Sequence, residues 1–412
     1  MVAVPLRHDP ESTKRTIGIV LLVLGMVIGL VLQFLMLFIP RLMSAHAGVQ
    51  LEAMLIGALL ALPMLVIYVW IPWVVDRYDP EPIWALALCI AWGALGAGGF
   101  SLLVNTIMHG IGEAIGGPAF GNMLGACVSA PLVEESTKAF AVFFMFYFMR
   151  RHFDGVVDGV IYGTMAALGF AAFENILYYS RAIAEQELAG KTGLLADQFL
   201  FRGLLKPWGH PLYTSLTGLG FGIARETNKT WLKWLAPIGG YFCGVFLHSL
   251  WNTSNMLIGV LLLPLFFLFV LMFFGLVLWL VQRKGKIIRD HLKDEVLMGN
   301  LTSWELELVT SPFAHIKATF QFGGSAGRRF VGAASRLALS KWHTGRATQG
   351  RKLTVSADMI FPLRQEIAKL RAEVARALGR QVEQPKPWSP PPVAAPPGYP
   401  PQPGYPPQPW RR

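Results

Sequence analysis

Apolar runs long enough to cross a lipid bilayer dominate this sequence. The run at 261–281, LLLPLFFLFVLMFFGLVLWLV, contains no charged residue, and a helix needs roughly 20 residues to span the hydrocarbon core. Charged residues make up 15% of the chain, against about a quarter in soluble proteins. The sequence therefore predicts an all-α, polytopic transmembrane bundle of about eight spans. The predicted spans are 16–39, 53–75, 83–108, 122–149, 156–179, 205–224, 232–251 and 257–281.

Basic residues beside the spans predict the orientation, because Lys and Arg collect on the cytoplasmic side. With eight spans, both termini share one side. The basic residues on that side are Arg7, Lys14, Arg15, Arg77, Arg150, Arg151, Arg225 and Lys229. On the opposite side, the connection 109–121 has no Lys or Arg, and the exception, 180–204, balances its basic residues with acidic ones. We expect a multi-pass protein of the cell membrane with both termini in the cytoplasm.

Four regions follow one another along the chain. A cytoplasmic N-terminus at 1–15 precedes a transmembrane domain at 16–282, a basic cytoplasmic region at 283–383 and a Pro-rich tail at 384–412. Residues 283–380 contain 18 Lys or Arg and 8 Asp or Glu, which is nearly all of the net charge of +11. Such a region favours contact with anionic lipid. No nucleic-acid-binding motif accompanies the charge, and we expect no nucleic-acid partner.

The basic region contains one clear helical pattern. Leu363, Ile367, Leu370, Val374 and Leu378 recur at helical spacing and predict a short amphipathic helix. The segment 311–356, rich in Gly, Ser and Arg, is expected to be loosely structured. In the tail, GYPPQP occurs twice in tandem at 398–409, which is typical of disordered or polyproline II chain. Such a tail is either simply solvated or binds a cytoplasmic partner.

Ionisable residues inside the spans are the candidates for chemistry, because each one costs a few kcal/mol in hydrocarbon. The motif EESTK places Glu134, Glu135 and Lys138 in the fourth span. Glu134 and Lys138 are four residues apart and can pair on one helix face, whereas Glu135 points about 100° away. A carboxylate in such a pair suits a general base. The alternative is a buried ion pair with a purely structural role.

Two motifs add an acid and an imidazole. GFAAFENILYY places Glu174 and Asn175 in the fifth span, where Phe170 and Phe173 supply an aromatic wall. GHPLYTS opens the sixth span with His210. Each motif alone is compatible with a structural role, as a polar residue bonded to a neighbouring helix or a histidine beside a proline.

The seventh span ends with HSLWN, in which His248 and Asn252 share one helix face. A His and an Asn at this spacing can hold a metal or a water, and the Asn can stabilise an oxyanion. Given the predicted orientation, Glu134, Glu174, His210 and His248 all fall in the extracytoplasmic half of the bilayer. A shared depth is not expected of scattered structural polar residues and therefore predicts one site built from four helices.

The ordered signature EExxK, FxxxEN, His and HxxxN resembles that of the PrsW family of intramembrane proteases. The resemblance covers roughly 120–255, and DGVVDGVIYG, with Asp154 and Asp158, is also similar to that family. Glu174 stands where the related type II CAAX prenyl proteases typically carry His, which favours PrsW. The resemblance implies a metalloprotease that cleaves membrane-anchored proteins, including anti-sigma factors at their first site.

In the mechanism that this resemblance implies, Glu134 or Glu135 acts as general base and Lys138 tunes the carboxylates. Glu174, His210 and His248 coordinate a divalent metal, most plausibly zinc, or orient the water directly, and Asn252 stabilises the oxyanion. Phe170, Phe173 and Asn175 are expected to contact the substrate. HExxH spacing is absent from this set, so the metal rests on the resemblance and on ligand type.

Two other classes of function fit the same residues. The polar residues of a membrane scaffold would hold helices together, and those of a transporter would relay protons. No internal repeat of spans is apparent, which counts against most transporter folds.

Overall fold

A computed structural model describes residues 10–349 and 355–386, and within them it contains helices and no strand. The α-helices are α1 Pro10–Gln33, α2 Ile39–Leu42, α3 Ala47–Val75, α4 Ile83–Ala91, α5 Gly98–Leu124, α6 Ala130–Phe148, α7 Val156–Ala189, α8 Leu194–Gln198, α9 Gly209–Glu226, α10 Thr230–Ile258, α11 Leu263–Leu297, α12 Ser303–Val309, α13 Ala314–Gln321, α14 Ser325–Gln349 and α15 Val355–Leu378. Arg7, most of the predicted N-terminal region and the GYPPQP repeats of the Pro-rich tail lie outside the described residues.

Among residues 10–349 and 355–386, five helical stretches are long and apolar enough to cross a membrane, and they confirm a polytopic helical bundle. They are Thr13–Leu42, Ala47–Val74, Ile83–Phe148, Val156–Ala189 and Leu263–Leu297. These five contain six of the predicted spans, because Ile83–Phe148 holds two. The predicted sixth and seventh spans form α9 and α10, which are helical but are not among the five. The number of eight crossings therefore stays a prediction.

The stretch Ile83–Phe148 folds back on itself at Gly117. Gly117 has φ +78°, a left-handed conformation that only glycine adopts readily, and Pro118 follows it. Past this turn α6 packs antiparallel to α5, so that Ser101 and Thr137 share a hydrogen bond of 2.9 Å. The predicted connection 109–121 is thus a tight reversal between helices rather than an extended loop.

Short π-helical segments interrupt several helices beside the site, at Trp92–Ala97, Gly125–Ser129 and Phe199–Leu205. A π turn leaves carbonyls without their usual helical partner, and inside a membrane these carbonyls need another donor. Gln33 Nε2 donates to the Ala94 and Leu95 carbonyls at 2.8 and 3.0 Å. Tyr68 donates to the Gly203 carbonyl at 2.7 Å. Side chains of neighbouring helices therefore stabilise these irregular segments.

Helix α7 forms the centre of the bundle. In its most apolar 18-residue stretch, 89% of the residues are buried. The helix packs mainly against α3 and α9. A β-carbon on Gly159 would lie 2.1 Å from the Gly218 carbonyl oxygen of α9, so the close approach of these two helices depends on glycine. This contact brings Glu174 on α7 close to His210 on α9.

The C-terminal region is more ordered than the sequence predicts. Helix α11 continues without a break through the predicted domain boundary at 282. The predicted amphipathic helix is confirmed within α15, which buries Leu363, Ile367, Leu370 and Val374. The expectation of loose structure at 311–356 is wrong, because α13 and α14 occupy most of that segment. The reason is that small side chains such as Ala333, Ala334 and Ala338 are fully buried in α14 and let it pack closely.

Candidate functional site

The four predicted clusters converge on one buried site. Glu134, Glu135 and Lys138 on α6 meet Glu174 on α7, His210 on α9 and His248 on α10. The rings of His210 and His248 lie 5.2 Å apart, nearly perpendicular to each other. Glu135 and Lys138 are both fully buried, with 0% exposure. The sequence predicted that these residues would meet, because it placed them at one depth in the membrane.

Glu135 has a complete set of hydrogen-bond partners. Its Oε1 accepts from Lys138 Nζ at 2.5 Å and from His248 Nδ1 at 3.0 Å, and its Oε2 accepts from the Thr214 hydroxyl at 2.7 Å. A carboxylate that binds one nitrogen of an imidazole fixes the ring orientation and leaves the other nitrogen available. Glu135 therefore directs His248 Nε2 toward the remaining space in the site.

Glu134 borders that space. Its Oε1 accepts a long hydrogen bond of 3.4 Å from Asn105. Its Oε2 is buried and has no hydrogen-bond partner among the described residues. Its ion-pair partners are Lys138 Nζ at 3.8 Å and His248 Nε2 at 4.0 Å. A buried carboxylate oxygen without a donor is costly to fold, and it marks a position where a water, a proton or a cation can bind.

His210 is held from both sides. Its Nδ1 accepts from Lys138 Nζ at 3.1 Å, because an ammonium group only donates. The proton therefore lies on Nε2, which donates to Glu174 Oε2 at 2.8 Å. The same oxygen accepts a short hydrogen bond from Arg202. Glu174 is thus paired with a cation and orients His210, as Glu135 orients His248.

A metal could be held by a glutamate and two histidines. One ligand atom each of Glu134, His210 and His248 lie within 4.8 Å of one another. This set differs from the predicted ligands, in which Glu174 took the place of Glu134. The orphaned Oε2 of Glu134 and two imidazoles make an oxygen and nitrogen donor set that divalent zinc accepts. Glu134 Oε2 and His248 Nε2 are free to bind a metal as they stand, whereas His210 can contribute Nδ1 only when Lys138 no longer donates to it. With that one rearrangement, the residues present fit a metal.

The remaining predicted residues lie around the cluster. Phe170 is buried, with its ring 4.4 Å from Lys138 Nζ and 5.3 Å from the His210 ring. Asn175 accepts from Arg202 at 3.1 Å. Phe173 packs on Gly98, away from the histidines. Asn252 donates to the Ala126 carbonyl at 2.8 Å, so its amide binds the π segment of 125–129 rather than the cluster.

Sequence reasoning missed several partners. Arg202 lies in a segment read as a connection, and its only signal was a basic residue beside the start of the sixth span. Thr214 follows His210 by one helical turn and so shares its face, which the motif GHPLYTS could have indicated. Asn105 carries no motif, and its contact with Glu134 follows only from the reversal at Gly117.

Together, the membrane bundle and its buried carboxylate and imidazole cluster define the class of membrane-embedded proteases, and comparison with known proteins supports this class. Residues 81–280 match the family described as PrsW family intramembrane metalloprotease. This match covers slightly less than half of the chain, and over these residues the chain is similar to that family.

Individual relatives agree with the family match. The chain is 28% identical over 196 residues to Protease PrsW of Geobacillus kaustophilus, covering 43% of this chain and 79% of that protein. It is 34% identical over 159 residues to Protease PrsW of Halalkalibacterium halodurans and 29% identical over 161 residues to that of Bacillus subtilis. Each of these two matches covers 39% of this chain and 65% of the relative. No solved structure matches the chain.

Proposed function

We propose that this protein hydrolyses peptide bonds of membrane-anchored proteins at the cluster of Glu134, His210 and His248. The observation that carries the proposal is the unpartnered Oε2 of Glu134, which lies 4.0 Å from the free Nε2 of His248. A base and a positioning group on two sides of one small space are what hydrolysis of an amide by water requires.

Each residue of the cluster then has a distinct role. Glu134 Oε2 accepts the proton of the attacking water, and His248 Nε2 positions that water. His210, whose two nitrogens bind Lys138 and Glu174, borders the same space. Glu135 and Glu174 hold the two imidazoles in the required tautomer and orientation. Lys138 neutralises Glu135 and donates to His210. Within this proposal Asn252 stabilises the π segment before α6 rather than the oxyanion, because its amide is already used there.

A divalent metal fits the same cluster, and zinc suits its ligands best. Glu134, His210 and His248 would hold it, with Glu134 then a ligand in place of its role as base and His210 Nδ1 released from Lys138. When bound, such an ion polarises the substrate carbonyl and makes a coordinated water a stronger nucleophile.

The substrates that we propose are proteins with a membrane anchor, including an anti-sigma factor cleaved at its first site. The family supports this class of substrate, and the predicted depth of the cluster supports cleavage near the outer face of the cell membrane. With both termini in the cytoplasm, the C-terminal region would lie on the opposite side from the cleavage.

Co-expression with single-span reporter proteins tests the proposal. Glu134→Gln and His248→Ala should each abolish cleavage, because they remove the base and one positioning imidazole. Glu113→Gln is the matched control, because Glu113 is an exposed glutamate whose ion-pair partner among the described residues is His109, at 3.7 Å. Cleavage that continues in both site variants would overturn the proposal. The protein would then be a scaffold or a proton relay.

A further inference from the structure

A cavity opens beside the cluster, between α3, α7 and the segment before α9. Its volume is about 30 Å³, and the space around it that opens to the exterior brings the total to about 480 Å³. Most of its wall is apolar, including Ala61 and Leu65 of α3 and Ala172 of α7. One end is polar and carries Arg202, Lys206 and His210. Because His210 belongs to both the cavity and the cluster, a peptide bound at the cluster can place a neighbouring side chain in the cavity.

The two cations at the polar end differ in how they are compensated. Arg202 pairs with Glu174, donates to Asn175 at 3.1 Å and lies 3.7 Å from the centre of the Tyr178 ring. Lys206 forms no ion pair with any described carboxylate, and its ammonium lies 4.1 Å from the centre of the Trp251 ring. An aromatic face compensates a buried cation only in part. Lys206 is thus the cation that remains available to a ligand.

A second donor lies next to Lys206. A β-carbon on Gly209 would be 3.0 Å from Lys206 Cε and 3.7 Å from the Tyr213 hydroxyl, so the two side chains meet across this glycine. The Tyr213 hydroxyl is buried and has no hydrogen-bond partner in the part of the chain that the structure describes. Tyr213 is 2% exposed, and leaving its hydroxyl unpaired costs about 1–3 kcal/mol.

An ammonium without an acidic partner favours an anion, and Tyr213, which lies behind the residues that line the cavity, adds an unpaired hydroxyl nearby. We propose that this cavity is a substrate subsite that selects an acidic side chain close to the cleaved bond, with Lys206 as the group that binds its carboxylate. The inference rests on the proposed function of the adjoining cluster. It adds a preference that the cluster itself does not supply, because Glu134, His210 and His248 contact the reacting bond rather than the flanking side chain.

Binding rather than cleavage provides the test, so that failure of the proposed hydrolysis does not affect it. The full chain carrying Glu134→Gln is purified in a neutral detergent, which excludes lipid phosphates. The probes are capped, fluorescent hexapeptides Leu-Ala-X-Ala-Leu-Leu with Glu, Gln or Lys at X. The Glu peptide should bind on the order of tenfold more tightly than the Gln peptide, as expected of a charge-assisted contact.

Substitutions assign the preference to one side chain. Lys206→Met should remove the preference for Glu, and Lys206→Glu should reverse it in favour of the Lys peptide, a gain that a misfolded protein cannot show. Lys191→Met is the control, because Lys191 pairs with Glu185 at the surface. Equal binding of the Glu and Gln peptides, or a preference that survives Lys206→Met, would overturn the inference. If the Glu and Gln peptides bind equally and added phosphatidylglycerol binds tightly, the inference is also overturned, because Lys206 would then bind lipid.

Discussion

His248 Nδ1 lies 3.0 Å from Glu135 Oε1, and this hydrogen bond turns Nε2 of the same ring toward Glu134. Two adjacent glutamates on one helix therefore act differently on one histidine. Glu135 fixes the ring, and Glu134 lies across the space that the free nitrogen borders. The neighbouring pair of Glu174 and His210 repeats the arrangement, at 2.8 Å.

Replacing Glu135 should impair catalysis through His248. Glu135→Gln can still accept from Lys138 but binds the imidazole more weakly, and loss of such an orienting partner typically costs 10–100-fold in activity or metal affinity. We expect kcat to fall by about that factor while KM changes little, because the substrate does not contact Glu135. Thr214→Val, which removes only one hydrogen bond to Glu135, should cost less. A raised KM with an unchanged kcat would contradict the assignment.

Replacing Lys138 should destabilise the protein as well as inactivate it. Lys138→Met leaves the fully buried Glu135 without its cation, and breaking a buried pair costs about 3–5 kcal/mol. The free energy of unfolding, measured by detergent-denaturant titration, should fall by that amount. Lys191→Met breaks an exposed pair with Glu185 and should cost less than about 1 kcal/mol. Equal effects of the two substitutions would show that the buried pair is not needed for stability.

The reversal at Gly117, within the residues of α5, gives a test of backbone conformation alone. Gly117 has φ +78°, whereas Gly110 is helical, and a β-carbon on either would meet nothing within 4 Å. Gly117→Ala should lower the free energy of unfolding by about 1–3 kcal/mol through strain, because φ +78° with ψ −179° is a conformation that essentially only glycine adopts. Gly110→Ala should raise it by up to about 1 kcal/mol through helix propensity. Effects of the same sign would contradict the left-handed turn.

Asp76 should make stability depend on pH. It lies just after α3, is 2% exposed, and burial raises the pKa of its carboxyl to about 8, with Asp158 adding repulsion and Lys284 opposing the rise. The ordinary pKa of an aspartate is about 3.9. Between these values the folded protein holds a proton that the unfolded chain has lost. The free energy of unfolding therefore falls as pH rises from about 4 to about 8.

Asp76→Asn isolates this contribution, because asparagine is neutral throughout. The melting temperature of wild type, measured from about pH 5 to about pH 8, should fall more steeply than that of the variant. When the melting data are converted to free energies of unfolding, the pH slopes of the two proteins should differ by at most about 1.4 kcal/mol per pH unit, which is the value for one proton. Parallel pH profiles would show that Asp76 is ionised in the folded protein.

The sequence predicted the acids and imidazoles of the site because each stands in a motif inside an apolar run. It did not predict how they pair. Helical spacing favoured Glu134 as the partner of Lys138, yet Lys138 lies 2.5 Å from Glu135 and 3.8 Å from Glu134. That choice depends on Thr214 and His248, which approach Glu135 from other helices, so spacing within α6 does not indicate it.

Errors about the fold have a similar origin. Composition indicated a loose segment at 311–356, but Gly and Ala are also the residues that allow helices to pack closely. In α14 a β-carbon on Gly327 would lie 2.0 Å from the Phe322 carbonyl oxygen, so a small residue is required there. Arg202 was read as a charge in a connection, although it binds Glu174 within the site. Only the three-dimensional packing distinguishes a loose segment from a close-packed helix, or a charge in a connection from a residue of the site.

Glu134 and His248 are proposed to act together in one hydrolytic centre. The most direct measurement compares cleavage rates of a purified single-span substrate by wild type, Glu134→Gln, His248→Ala and the double variant. Residues that act as a unit give strongly non-additive losses. We therefore expect the double variant to be no slower than the slower single variant. Losses that multiply, or single variants that cleave at the wild-type rate, would contradict it.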